Sequence, residues 1–328
     1  MNDSKEPELI FKSNDSLREV FGKTLVDLAQ SYPNFVVLDA DVAGGTGTHH
    51  FRKSHPDRFF QFGIAEQNMM AAAGGMASTG LIPIVTTFAV FCLRAIEQAR
   101  LSIAYSERNV KIVASHPGLD VGPDGASAQA LEDLACFRAI PKMVVISPAD
   151  QLEMKLATES ILNYVGPVYM RSGRSPARRI LSENYSFEIG KGKVLTNGYD
   201  VTIIACGVEV ARALDAAELL KHEGLSARVV NMSTIKPIDV GLIKICAEET
   251  GCIVTAEDHN ILGGLGSAVA EAVTKEYPVP MEFIGVKDVF GESGEPEELA
   301  EKYELTGPFI AKAARKVISR KLALRQRV

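Results

Sequence analysis

Short apolar runs alternate with stretches of helical periodicity along most of the chain. Leu17, Val20, Phe21, Leu25 and Leu28 recur at helix spacing behind Asn14, Asp15 and Ser16, a cap-forming trio. Residues 35–38, 59–63, 82–86, 110–114, 143–146 and 167–171 are short and rich in Val, Ile, Phe and Met, the pattern of strands buried on both faces. A polar, basic and irregular stretch, 172–198, reads as a linker. A second series then begins: strands at 201–207, 227–232, 252–257 and 282–286, with a helix over 208–222. Strands alternating with helices predict an α/β fold of two domains, each a mostly parallel sheet covered by helices.

One stretch breaks the pattern. Residues 59–76 read Phe-Phe-Gln-Phe-Gly-Ile-Ala-Glu-Gln-Asn-Met-Met-Ala-Ala-Ala-Gly-Gly-Met. A strand ends at Gly63, and a helix of small and apolar residues starts with Glu66 in its first turn. With almost no charged positions, that helix is expected to be buried. A carboxylate at its mouth is costly without a partner. Its ordinary reading is a helix-start acid complementing the dipole.

Composition narrows the function classes. The 328 residues are 46% hydrophobic, with a formal net charge of −6 and no long basic run, which argues against nucleic acid and anionic membranes as partners. The first eight residues have no apolar core and do not read as a signal peptide. No run of about 18 apolar residues occurs. Cys92, Cys136, Cys206, Cys246 and Cys252 form no Cys-x-x-Cys pair and read as reduced residues of a cytoplasmic protein.

Candidate chemistry gathers at strand ends. Asp39 and Asp41 close the first strand, where open α/β sheets collect ligands. Gly44-Gly45-Thr46-Gly47-Thr48 follows and is not a P-loop, since no Gly-Lys-Ser/Thr succeeds it. Phe88 and Phe91 are three apart on a helix face and in isolation would be core aromatics. The loop at 115–129 carries His116, Asp120 and Asp124 among Gly and Pro; long loops in compact domains are usually functional. Gly263, Gly264 and Gly266 do not fit the dinucleotide spacing. The basic tail positions Arg320, Lys321, Arg325 and Arg327 read as a solvated face.

Together these stretches resemble the transketolase family, thiamine diphosphate enzymes that move a two-carbon ketol unit. The resemblance covers nearly the whole chain. It rests on Gly63-Ile64-Ala65-Glu66-Gln67-Asn68-Met69, Thr87-Phe88-Ala89-Val90-Phe91, His116 with Gly122-Pro123-Asp124-Gly125, and Arg138-Ala139-Ile140-Pro141 with Pro148-Ala149-Asp150. It implies a pyrimidine-binding domain at about 10–185 and a transketolase C-terminal domain at about 195–328. The family's diphosphate-binding domain, with a Gly-Asp-Gly motif leading to an Asn, has no counterpart here. The resemblance therefore implies the C-terminal subunit of a split transketolase, working with an N-terminal subunit of roughly 270 to 300 residues. The implied assembly is an α2β2 heterotetramer. The partner would hold the diphosphate and its Mg2+ (or Ca2+), and this chain would supply no metal ligand.

By the same resemblance, Glu66 hydrogen-bonds a ring nitrogen of the aminopyrimidine and favours the imino tautomer that takes the thiazolium proton. Phe88 and Phe91 match the aromatic wall around the pyrimidine, and Asp41 an acid near the thiazolium. Arg94 stands where some relatives have a tyrosine. Arg18, His116 and Arg171 fall where the family binds the anionic end of a sugar phosphate, and Asp124 matches an acid that reads a ketose hydroxyl. Two departures bear on substrate choice. Gly45 replaces a serine that often binds phosphate, and Ala128 replaces the histidine of a Thr-His-Gln motif. The implied substrate is an anionic sugar outside the standard pair. The alternatives are a β subunit of a 2-oxo acid dehydrogenase, deoxyxylulose phosphate synthase, and a non-catalytic partner subunit. The Asp-Gly loop and Arg-Ala-Ile-Pro fit transketolase better.

Overall fold

The computed structural model describes residues 15–325. Residues 10–14 of the expected first domain, Asn14 of the cap trio and the basic Arg327 lie outside the described residues. In chain order the strands are β1 (Phe35–Asp39), β2 (Phe59–Gln61), β3 (Ile82–Phe88), β4 (Lys111–Ser115), β5 (Val144–Ile146), β6 (Val168–Ser172), β7 (Lys193–Thr196), β8 (Val201–Ala205), β9 (Ala227–Asn231), β10 (Thr234–Lys236), β11 (Ile253–Asn260) and β12 (Met281–Val286). They form two sheets, ordered β10-β5-β6-β4-β3-β1-β2 and β12-β11-β8-β9-β7. Every pairing is parallel except β10 with β5 and β7 with β9. The two-domain, mostly parallel α/β reading is what the structure has.

Apolar strands make this arrangement stable. β1, β4 and β6 are buried at every position, so each must be covered on both faces. The Leu17–Leu28 helix covers one face of the first sheet with Leu17, Phe21 and Leu25, four residues apart. Its cap position is Ser16, whose side chain makes no capping bond. The Gln151–Asn163 helix has a true cap: Asp150 accepts the Glu153 amide at 3.0 Å.

The Glu66–Ala77 helix departs from expectation. It buries Glu66, Met69, Met70, Ala73 and Gly74, while Gln67, Asn68, Ala71 and Gly75 are exposed. Its small residues serve close packing: a Cβ on Gly74 would lie 2.4 Å from the Ser102 carbonyl oxygen.

The stretch read as a linker is not all linker, because β7 inside it pairs with β9 at the edge of the second sheet. Nor does the second half stay in its own sheet, since β10 adds to the first. The two units also share buried polar contacts. The Asp258 carboxylate accepts the Leu119 and Asp120 amides at 2.8 and 3.1 Å. Buried Glu153 accepts from Asn231 and Ser233 at 2.8 and 2.7 Å. The Asp258 bonds fix the 115–129 loop against the second unit, and the Glu153 bonds fix the Gln151–Asn163 helix.

Candidate active site

Neighbouring parallel strands deliver their carboxyl ends to one edge. In sheet order β6, β4, β3, β1 and β2 lie side by side, and they lead into Arg174, His116, Phe88, Asp41 and Glu66. The candidates, scattered over more than a hundred positions, are gathered by this topology.

Glu66 is the first residue of its helix and is only 4% exposed. Its Oε2 is buried and has no hydrogen-bond partner among the described residues, an unusual cost for a carboxylate. The helix packs on the Ala89–Arg94 helix, where burial and the charges of Asp133 and Glu66 push the Cys92 thiol up. Phe91, beside Cys92, stacks on Phe88 with ring centroids 5.3 Å apart. Phe88 in turn stacks on His116 at 3.8 Å. Gly45 makes room for this: a Cβ there would lie 2.5 Å from the Phe88 ring. The missing serine is thus explained sterically.

Asp41 sits at φ 64°, in the left-handed region that Asp tolerates, and is exposed. Buried Asp39 behind it is raised above the usual carboxylate range by burial, offset by bonds from Gln61 and the Val42 amide. Gln61 donates to Asp39 at 2.7 Å and accepts the Asp41 and Gly63 amides, both at 2.9 Å. It thereby couples the Asp41 turn to the approach to Glu66. Sequence reasoning gave Gln61 no role; its only signal was a polar residue in an aromatic strand.

His116 is buried at φ 58°, its Nδ1 2.9 Å from Ser115 Oγ. Burial first, then the charges of Arg18 and Arg174, lower its pKa to about 3. It is therefore a neutral ring near pH 7, not a cation for an anionic group. Arg18 is half-buried and donates to the Gly45 carbonyl at 3.2 Å. Its Nε is buried without a partner among the described residues. Exposed Asp124 pairs loosely with Arg174 Nη2 at 3.5 Å. Ala128 is half-buried in the same loop, and Arg94 ends its helix exposed.

Arg171 is set differently from the other arginines. Its guanidinium is 4% exposed and bonded on three sides: Nε and Nη2 to Asp133, and Nη1 to the Asp258 carbonyl at 2.9 Å. Burial alone would lower its pKa; Asp133 overcomes that and holds the charge. Such an arginine is held in place by its neighbours, with one N–H on each terminal nitrogen outside these bonds. Arg174, three residues on, lies instead near Arg18 and His116. Its Nη1 donates to the Val121 carbonyl at 2.6 Å. The signal was the Arg-x-x-Arg spacing, obscured because Arg174 fell in the presumed linker.

The glycine run before the Leu265–Glu276 helix turns its amides onto a carboxylate. Glu257 already accepts the Leu265 and Gly266 amides, at 2.7 and 2.8 Å. None of the five cysteines forms a disulfide. No helix among the described residues is long and apolar enough to cross a membrane.

Comparison with known families now decides the affiliation. The description of the transketolase pyrimidine-binding domain matches residues 14–179, and that of the transketolase C-terminal domain matches 190–310. The chain belongs to the transketolase family. Human transketolase is 39% identical over 316 residues, which span 94% of this chain and 50% of the human protein. A 6-deoxy-6-sulfo-D-fructose transketolase subunit from Clostridium sp. is 42% identical, over 93% of this chain and 95% of its own. A solved split-gene transketolase, described as an inactive beta4 tetramer, is 48% identical with a TM-score of 0.88, covering 93% of this chain and 99% of that one. The matched part of this transketolase-family chain corresponds to the pyrimidine-binding and C-terminal domains and spans about half the length of the human relative.

Proposed function

We propose that this chain is the C-terminal subunit of a split, thiamine diphosphate-dependent transketolase acting on anionic sugars. The observation that carries the reading is Glu66, a buried carboxylate with an unpartnered oxygen at the mouth of a helix, near the stacked Phe88 and Phe91. That donor-seeking oxygen and apolar wall suit an aminopyrimidine. When bound, thiamine diphosphate supplies the nucleophilic carbon that carries the two-carbon unit between sugars. Glu66 would hold or share a proton at a ring nitrogen, in a site dry enough for one proton to matter. Phe88 and Phe91 would grip the ring by stacking, and Gln61 and Asp39 would hold the Asp41 turn beside it. Arg18 and Arg174 would bind the anionic tail. Neutral His116 would add one hydrogen bond without charge, and Asp124 would accept from a sugar hydroxyl.

A partner subunit carrying the diphosphate and its divalent ion belongs to this reading. Two observations favour it: the split-gene transketolase chain that this one matches over 99% of its length, and the bare ground beside Glu66. Ile64 is 77% exposed, and Gln67, Asn68, Ala71 and Gly75 continue an exposed face that a second chain would cover. An α2β2 assembly and a cytoplasmic setting complete the proposal. The substrate is left to experiment, with sulfonated sugars included because of the Clostridium relative's name.

The test is co-expression with a chain bearing the diphosphate-binding domain, then a donor and acceptor screen with phosphorylated and sulfonated ketoses. Ketol transfer by the pair, and none by this chain alone with Mg2+ and cofactor, is expected. Full turnover by this chain alone would overturn the split-subunit reading.

A further inference from the structure

Three side chains outside the proposed chemistry meet where two helices cross. Glu19 lies in the first turn of the Leu17–Leu28 helix, while His49 and His50 open the His49–Ser54 helix. One ligand atom from each lies within 4.8 Å of the other two. His50 Nε2 is 2.7 Å from Glu19 Oε2, and these side chains are 32% and 30% exposed, so solvent and ions reach them. The two imidazoles lie side by side, centroids 4.0 Å apart and tilted by 37°. His49 Nδ1 is buried with no hydrogen-bond partner among the described residues. An ordinary exposed ion pair would account for His50 and Glu19, but leaves the second imidazole unexplained.

We propose that Glu19, His49 and His50 form a three-ligand site for a borderline divalent transition ion of the Zn2+ type, fastening these two helices together. Two imidazoles and one carboxylate are the donor set such ions select, whereas Mg2+ prefers oxygen ligands and water. Metal–ligand bonds of about 2.0–2.2 Å in a tetrahedron put donor atoms roughly 3.4 Å apart. The three donor atoms here lie within 4.8 Å of one another, close to that spacing. Water would fill the fourth position. Nearby Arg18, Arg52 and Lys53 oppose a cation, so Glu19 is the ligand that makes the local charge acceptable.

The placement gives the ion a consequence. Arg18, adjacent to Glu19, donates to Gly45, and Gly45 lies four residues before His49 on the turn that backs Phe88. An ion joining Glu19 to the histidines would fix Arg18 and the Gly45 turn relative to each other. This inference does not depend on the proposed reaction, and its test needs neither partner nor cofactor.

The metal-free full chain is titrated with Co2+, followed by its visible d–d absorption, then with Zn2+ as competitor, and melted with and without Zn2+. One equivalent of Co2+, displaced by Zn2+ but not by equal Mg2+, is expected, together with a rise in Tm. His49→Ala and Glu19→Gln should each weaken binding at least about tenfold, the scale by which even supporting residues affect metal sites. Glu19→Gln preserves size, so it reads the site if His49→Ala lowers stability. His222→Ala, which removes an exposed histidine paired with Glu218, should leave binding unchanged. Loss of the Co2+ signal with Cys136→Ser but not with His49→Ala or Glu19→Gln would overturn the proposal. So would a titration showing no saturable binding.

Discussion

At the scale of single residues, Glu66 and His116 carry opposite lessons about burial. Glu66 is buried with one oxygen unpartnered among the described residues, a cost that a purely structural acid has no reason to bear. On the proposed function, and with a diphosphate-binding chain co-expressed, Glu66→Gln should leave the fold intact and reduce ketol transfer by about 10²–10⁴-fold, the usual effect of deleting a positioned acid–base group. Activity within threefold of wild type would make Glu66 a helix-start acid only. For His116, burial and two arginines favour the neutral ring. The unfolded chain takes a proton near 6.5, whereas the native ring waits until about 3. Between those values the unfolded state binds more protons, so this residue's contribution makes stability fall as pH drops through that window. NMR titration should show no His116 step near 6.5. Arg18→Met should raise its pKa only in part, because burial is the larger cause. A wild-type step near 6.5 would refute the neutral-ring assignment and return His116 to the role of anion-binding cation.

At the scale of elements, β6 and the Asp133–Ala139 helix are held by the Arg171–Asp133 pair, which also receives the Tyr169 hydroxyl at 2.5 Å. Asp133→Ala leaves a buried guanidinium without its counter-charge, and should cost about 3–5 kcal/mol in denaturant unfolding. A loss below about 1 kcal/mol would show that the pair is dispensable and that Arg171 is open to other work. Arg171 shows where sequence reading stops. The arginine stands at a strand end, as a ligand-binding residue would, but only the fold reveals that Asp133 arrives from another element. Most strands were legible because a buried parallel strand writes itself as an unbroken apolar run. β7 and β10 were not. They are four and three residues long, sit at sheet edges and carry lysines, which is how edge strands avoid unwanted pairing. The exposed face of the Glu66–Ala77 helix was misread for a related reason: alanine and glycine look alike to a hydrophobicity pattern whether they face a core or bare ground. Glu66, Phe88 and His116 were legible because their local motifs are long; Gln61 and Arg174 were single residues whose significance depends on distant neighbours.

At the scale of the whole chain, the two sheets are not independent bodies. β10 leaves the second half to pair with β5. One apolar cluster runs from Leu38 and Val85 of the first sheet to Ile204, Val230 and Met232 of the second. Buried Glu153 also depends on Asn231 and Ser233 from the other half. Separating the halves would expose that shared surface and leave a carboxylate in an apolar setting without its donors. The chain should therefore unfold in one cooperative transition, with calorimetric and van't Hoff enthalpies in agreement. A fragment ending at residue 190 lacks β10 and the donors to Glu153, and should be proteolysed far faster than the intact chain. Lys236 adds a further tie, donating to the Arg138 carbonyl at 2.8 Å, so the fragment also loses support under the helix that carries Asp133. Two resolved calorimetric transitions, together with a protease-resistant 15–190 fragment, would show that the halves fold separately. In that case the 115–129 loop would have to hold His116 and Asp124 in place without the Asp258 carboxylate.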